Sequence, residues 1–189
     1  NEFQKARDNL DQALNVWQVV GDRHLEAITL ILKGGVYYWL AEPQKALEAY
    51  NLAVPVMRAV GDQSGEVWAF TQMGNAYKLA GESQKALDHF AQALPLLRSV
   101  SDPRNEASLL NNIGTVYNLL GDPDKALTYF NQALALLPTI TDPRLKAVTL
   151  SNVGNIHNLR NEPKEALEYL DQALTVARAN SDRRAEAGV

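Results

Sequence analysis

The chain has 189 residues, 46% of them hydrophobic, no cysteine and a net charge of −4 at pH 7. Without cysteine there is no disulfide framework, thiolate metal site or cysteine nucleophile. The acidic balance argues against nucleic acid as a partner, and neither a long apolar run nor a charged-then-apolar leader marks a membrane span or a signal peptide. Together these absences point to the cytoplasm.

Shifted by 40 residues, the sequence aligns with itself without a gap. Residues 1–20 match the second half of a repeat, 21–60, 61–100, 101–140 and 141–180 are full repeats, and 181–189 match the start of another. The chain therefore reads as a single array, and as a fragment of a longer one without capping ends. An uncapped end leaves an apolar face open, so self-association through the repeat ends is an expected mode.

Each repeat reads as two helices. The first opens at an Asp column, Asp22, Asp62, Asp102, Asp142 and Asp182, whose carboxylates suit an N-cap. Pro103 and Pro143 follow at the first helical position, where Pro is tolerated. Apolar residues then recur at spacings of three and four, as in Leu109, Leu110, Ile113, Val116, Tyr117 and Leu120. A second break at Gly81-Glu82, Gly121-Asp122 or Asn161-Glu162 starts the second helix. The spacing predicts helices over 23–40 and 43–60, and at the same offsets in each later repeat.

Glycines at 34, 74, 114 and 154 fall inside first helices, where Gly costs about 1 kcal/mol relative to Ala. A recurring cost implies close approach of the partner helix. The Ala column at 46, 86, 126 and 166 is expected to meet the glycines, with the large column Tyr50, Phe90, Phe130 and Leu170 beside that contact. Pro55 and Pro95 should bend their second helices, whereas Asn15, Ala135 and Thr175 at that offset leave theirs straighter.

These columns resemble the tetratricopeptide repeat, whose pattern is W-x2-L-G-x2-Y followed by A-x3-F and A-x6-P, although the terminal Pro column is missing here. The third repeat reads Leu110, Ile113, Gly114, Tyr117, Ala126, Phe130 and Ala133, and the second reads Phe70, Met73, Gly74, Tyr77, Ala86, Phe90 and Ala93. The period of 40 rather than 34 resembles the longer-helix repeats of kinesin light chains and G-protein-signalling modulators. Such repeats also occur in large multidomain bacterial signalling proteins. Two further departures are Lys33, where Leu is usual, and His157, where Tyr is usual. The resemblance implies an all-α fold, a right-handed superhelical solenoid of antiparallel helix pairs, with first helices lining a concave groove. It also implies a binding scaffold rather than an enzyme.

On the first helices a stripe through offsets 24, 28, 31, 35 and 38 lies on one face. The resemblance places it in the groove. Its early part is apolar and aromatic, with Ile31, Tyr38 and Trp68 as anchors beside Thr71, Asn75 and Lys78. Its later part is a field of amides and hydroxyls, Asn111, Thr115, Asn118, Ser151, Asn155 and Asn158, with Asn112 and Asn152 adjacent. Amides donate and accept, so such a row suits the main chain of an extended peptide, with the aromatic residues as an anchor. The alternative is a solvated helix surface, although Glu, Lys or Gln would be the better helix formers there. Arg104, Arg144 and Arg184 recur at helix starts and would meet an acidic peptide. Glu42, Glu82, Asp122 and Glu162 on the opposite edge balance them, leaving ligand charge open. Some members of the family clamp a C-terminal carboxylate. Here Ile28, Ile31, Thr71, Ser108 and Ser151 fill several comparable places, so that clamp is not expected.

His24, His89 and His157 sit at unrelated offsets, so neither a metal site nor any other cofactor is expected. His157 is expected to be packed or hydrogen-bonded. No phosphate loop or nucleophile elbow is present. Lys45 with Glu48 and Lys85 with Asp88 read as surface pairs. The leading expectation is a scaffold binding a peptide segment of a partner protein in the groove. A structural or oligomerising module, and a regulatory sensor arm of a larger protein, are the alternatives.

Overall fold

The computed structural model describes residues 2–180, whose regular structure is helical throughout. The expected start of a further repeat at 181–189, with Asp182 and Arg184, lies outside the described residues. The chain divides into two compact units, Asn1–Val100 and Ser101–Val189. The first contains α1 (Glu2–Val20), α2 (Arg23–Trp39), α3 (Pro43–Val60), α4 (Gln63–Leu79) and α5 (Ser83–Val100). The second contains α6 (Pro103–Leu119), α7 (Pro123–Leu136), a short 3-10 turn (Leu137–Thr139), α8 (Pro143–Leu159) and α9 (Pro163–Ala179). In the first unit α2 packs on α3 and α4 on α5, with α3 also against α4 and α1 against α2. The second unit pairs α6 with α7 and α8 with α9, and stacks α7 on α8. No described helix is long and apolar enough to cross a membrane.

The Asp column caps as the sequence predicts. Asp22 and Asp62 each accept a backbone N–H at 2.9 Å, from Leu25 and Gly65. Asp102 and Asp142 do the same for Asn105 and Leu145, at 3.0 and 2.9 Å. Inside each hairpin one residue takes the left-handed backbone: Ala41 (φ 57°) and Gly81 (φ 78°) in the first unit, Gly121 (φ 75°) and Asn161 (φ 61°) in the second. That turn lets two helices follow one another after a break of only a few residues.

At the glycines the large column comes nearest, and the alanine column expected there joins it at one position, where the Ala166 carbonyl oxygen lies 3.2 Å from a Cβ built on Gly154. A Cβ built on Gly34 would lie 2.3 Å from Tyr50 Cε1, and one on Gly74 the same distance from Phe90 Cε1. Gly114 faces the Phe130 ring at 2.6 Å, and Gly154 faces Leu170 Cγ at 2.9 Å. Each first helix thus lacks a side chain where the second helix lays its largest one flat. Tyr50, Phe90 and Phe130 are fully buried by this arrangement. The alanines at 46, 86, 126 and 166 are buried as well and let the helix backbones approach.

Helices α3 and α5 continue through Pro55 and Pro95, 18 residues each. It is α7, carrying Ala135, that ends early, at 14 residues. Pro138 is responsible: without an N–H it cannot continue the i→i−4 ladder, and the chain tightens into the 3-10 turn before Ile140 extends (φ −124°, ψ 133°).

Candidate functional site

In the first unit, α2 and α4 carry the candidate residues. Tyr38 is half-buried and packs edge-on against Trp39, centroids 5.8 Å apart. Trp68 is 38% exposed. Thr71 and Asn75 are half-buried, and Asn75 Nδ2 donates to Gln72 Oε1 at 3.3 Å. Lys78 is half-buried too, and its burial holds the ammonium below the usual lysine range. Ile31 is not a surface anchor: it is 1% exposed, a core side chain beside Leu30. A Cβ on Gly35 would meet nothing within 4 Å, so this face is open where Asn75 stands in the next repeat.

The second unit presents α6 and α8. Asn111 is 9% exposed, and Asn152 Nδ2 donates to its Oδ1 at 3.0 Å, joining the two first helices. Thr115 Oγ1 donates to the Asn111 carbonyl at 2.9 Å. Asn112, Asn118 and Ser151 are half-buried, while Asn155 and Asn158 are exposed. The amide row is therefore uneven, with its buried members bonded to each other and its outer members open to solvent.

The arginine edge turns inward. Arg104 Nε donates to Asp142 Oδ2 at 2.9 Å, so this guanidinium ties one repeat to the N-cap of the next. His24 Nε2 and Asp62 Oδ2, 2.8 Å apart, make the equivalent tie in the first unit. The His24 contact, with the Gly65 N–H, holds the Asp62 carboxyl below the usual carboxylate range. At Asp142 the Leu145 N–H does most of that work, helped by Arg104. Arg144 is exposed but already engaged within the protein.

The acidic edge is likewise locally engaged. Lys45 reaches Glu42 at 2.7 Å rather than Glu48, Lys85 reaches Glu82 rather than Asp88, and Lys125 reaches Asp122 at 2.8 Å. The same ammoniums lie over the Tyr37, Tyr77 and Tyr117 rings at 5.7, 5.4 and 5.3 Å. In the last full repeat His157 replaces the tyrosine, and its Nδ1 meets Glu162 Oε2 at 2.6 Å while its ring stacks on Tyr169. That is the packed, hydrogen-bonded histidine expected from sequence. His89 stacks on Tyr77 at 5.1 Å with its Nδ1 buried, and this burial lowers its pKa. No group of three metal-ligating side chains occurs among the described residues.

Sequence reasoning missed one column. Trp39, Leu79, Leu119 and Leu159 share an offset and are 72%, 45%, 63% and 67% exposed. The 40-residue recurrence was the available signal, and the run of apolar spacing into the helix end hid it.

The sequence pattern described as "Tetratricopeptide repeat" matches residues 1–59, 26–99, 65–139 and 105–179. No curated protein matches the chain in sequence. Among solved structures, BtubC (BKLC) from P. vanneervenii is 22% identical, with 96% of this chain and 76% of that one covered at a TM-score of 0.87. A Rap protein complexed with competence and sporulation factor is 20% identical, with 97% and 52% covered and a TM-score of 0.85. A putative kinesin light chain from Podosopora anserina with nearly identical TPR-like repeats is 14% identical, with 95% and 88% covered and a TM-score of 0.77. At these identities the likeness is one of fold, a helical repeat solenoid. With paired helices, a glycine under each large second-helix side chain, and a family pattern matched from residue 1 to 179, the chain belongs to the tetratricopeptide repeat family.

Proposed function

We propose that this protein is an interaction scaffold that holds a peptide segment of a partner protein on first-helix faces. The observation that carries the reading is the character of those faces. The first unit presents aromatic surface at Tyr38 and Trp68, and the second presents exposed amides at Asn155 and Asn158. Large rings supply contact area at little entropic cost, and open amides match the alternating N–H and C=O of an extended chain. The Rap protein, solved in complex with competence and sporulation factor, supports the reading by analogy of fold.

A random-peptide display selection on the whole chain tests it. The expected result is a recurrent motif whose affinity falls at least tenfold on a Tyr38→Ala/Trp68→Ala/Asn158→Ala variant with unchanged helicity, consistent with about 1–2 kcal/mol or more at interface centres. Equal binding to parent and variant refutes the groove reading. A second reading, self-association, rests on Val19 and Val20 of α1, which are 89% and 66% exposed. Concentration-dependent mass in light scattering, removed by Val19→Ser/Val20→Ser, would support it.

A further inference from the structure

His89 stands on α5 in a column with Ala49, Tyr129 and Tyr169. From the second full repeat onward, this position completes a stack of two rings across the helix hairpin. Tyr77 and His89 lie 5.1 Å apart at 7°, Tyr117 and Tyr129 5.3 Å at 10°, and His157 and Tyr169 5.3 Å at 6°. Two of these stacks contain a histidine, and the two histidines differ in what surrounds them. The Nδ1 of His157 has the Glu162 carboxylate 2.6 Å away. The Nδ1 of His89 is sealed from water without a partner, and the Phe70 ring lies 6.1 Å from the same imidazole.

With its proton on Nε2, neutral His89 leaves only a lone pair in the sealed place. The imidazolium carries N–H on both nitrogens, so it would put a charge and an unbonded donor there. No neighbour offsets that cost. The helix packed against α5 is α4, which brings the Tyr77 ring. The charged residues of α4 are Glu66, already bonded to Arg58 Nε at 3.0 Å, and Lys78, a cation. A cation gains from the face of a tyrosine, but the Lys85 ammonium, paired with Glu82, already lies 5.4 Å from the Tyr77 ring. On α5 itself Asp88 favours the charged ring, yet burial outweighs it and holds His89 below its ordinary 6.5.

We propose that His89 is an acid sensor of the first unit: protonation of its ring breaks the stack with Tyr77 and opens the α4–α5 hairpin. A charge on His157 would meet Glu162, so the α8–α9 hairpin lacks this liability. Opening α4–α5 loosens the helix that carries Trp68, Thr71 and Asn75, which makes the candidate face of the first unit acid-sensitive. The sensor itself does not depend on what that face binds.

Urea melts of the whole chain between about pH 7 and pH 5, on the parent, His89→Tyr and His89→Phe, test it. Tyrosine is the residue at 129 and 169, and phenylalanine brings no polar atom. The fold resists protonation of His89, so the stability linked to it is complete above 6.5 and is lost as the pH falls through that value toward the folded one. The parent's unfolding constant, relative to either variant, is expected to rise by up to about tenfold per pH unit below that value. His24 and His157 are common to all three chains, so their titrations cancel. Hydrogen exchange at the acid end of the range should show α4 and α5 exchanging faster in the parent than in the variants, with α8 and α9 unchanged. Parallel stability curves, or acid-induced opening elsewhere than α4 and α5, overturn the sensor. Should neither variant fold, exchange of the parent across the same range, corrected for the intrinsic rate at each pH, decides: an α4–α5 hairpin that opens no more often in acid overturns it, and one that opens more often, with α8–α9 steady, upholds it.

Discussion

Gly34 and Gly35 are neighbours in the interior of α2, and alanine at the two positions should move stability in opposite directions. The helix-propensity gain is the same for both, about 1 kcal/mol. At Gly35 nothing lies within 4 Å of the new methyl, so the gain is kept whole. At Gly34 the methyl would sit 2.3 Å from Tyr50 Cε1 and 2.7 Å from Cδ1 and Cζ. Carbon atoms rest at about 3.5–4.0 Å, so the ring would have to retreat by more than an ångström. Tyr50 is fully buried, with no open space to retreat into. Overpacking of this kind costs about 1–3 kcal/mol, and the overlap here belongs at the upper end. The net effect at Gly34 is therefore destabilisation by about 1–2 kcal/mol, against stabilisation by about 1 kcal/mol at Gly35. Urea melts followed by far-UV circular dichroism give both values, and their difference isolates the overlap because the propensity gain cancels. Gly154→Ala should cost less than Gly74→Ala, since it meets Leu170 Cγ at 2.9 Å instead of a ring carbon at 2.3 Å. If Gly34→Ala stabilises as much as Gly35→Ala, the tyrosine does not lie over the glycine and the packing argued here is wrong.

Tyr50→Phe should stabilise by about 1 kcal/mol, because it removes a buried hydroxyl without a partner and leaves the side chain found at Phe90 and Phe130; equilibrium unfolding measures it, and a loss would show that the hydroxyl is bonded. Ala41→Gly should add about 0.5–1 kcal/mol, relief of about 1–2 kcal/mol at φ 57° less the extra freedom of glycine in the unfolded chain; a lower melting midpoint would contradict this. Asp62 and Asp142 have carboxyls lowered in the fold from an ordinary value of 3.8, so their stabilisation is complete above that value and fades as pH falls through the folded one. Asp62→Asn keeps an N-cap side chain but removes the titration, so its stability should fall less steeply than the parent's as the pH drops below about 4; parallel curves in urea melts from pH 6 to 2.5 would rule out a contribution from Asp62.

The helices, their caps and the glycine column could be read from residues because each has a local cause that recurs. An Asp before a helix, a Pro at its first position and a Gly at a fixed offset act in the same way in every copy. Two errors arose where one copy departs from the others. Pro138 lies outside the recurring columns, so the early end of α7 was invisible to a reading built on what the repeats share. Ile31 belongs to a stripe that spacing puts on one face of its helix and that the family resemblance puts in the groove. Its offset borders the buried side of the helix, as Leu30 next to it shows. At a border the side chain decides: Ile31 is buried to 1% exposure, whereas Thr71 and Ser151 stay half-buried.

Asn111 is the informative exception at that border. It is buried nearly as deeply as the isoleucine, yet it is polar, and only the amide of Asn152 from the next first helix makes this tolerable. Arg104 follows the same logic at the helix starts: a cation placed against a helix dipole is unfavourable on its own helix, and it becomes useful once Asp142 of the following repeat is 2.9 Å away. Both residues look misplaced when one helix is read alone. Both are accounted for by a side chain about 40 positions further on, so in this protein the polar anomalies of one repeat are the contacts that join it to its neighbour.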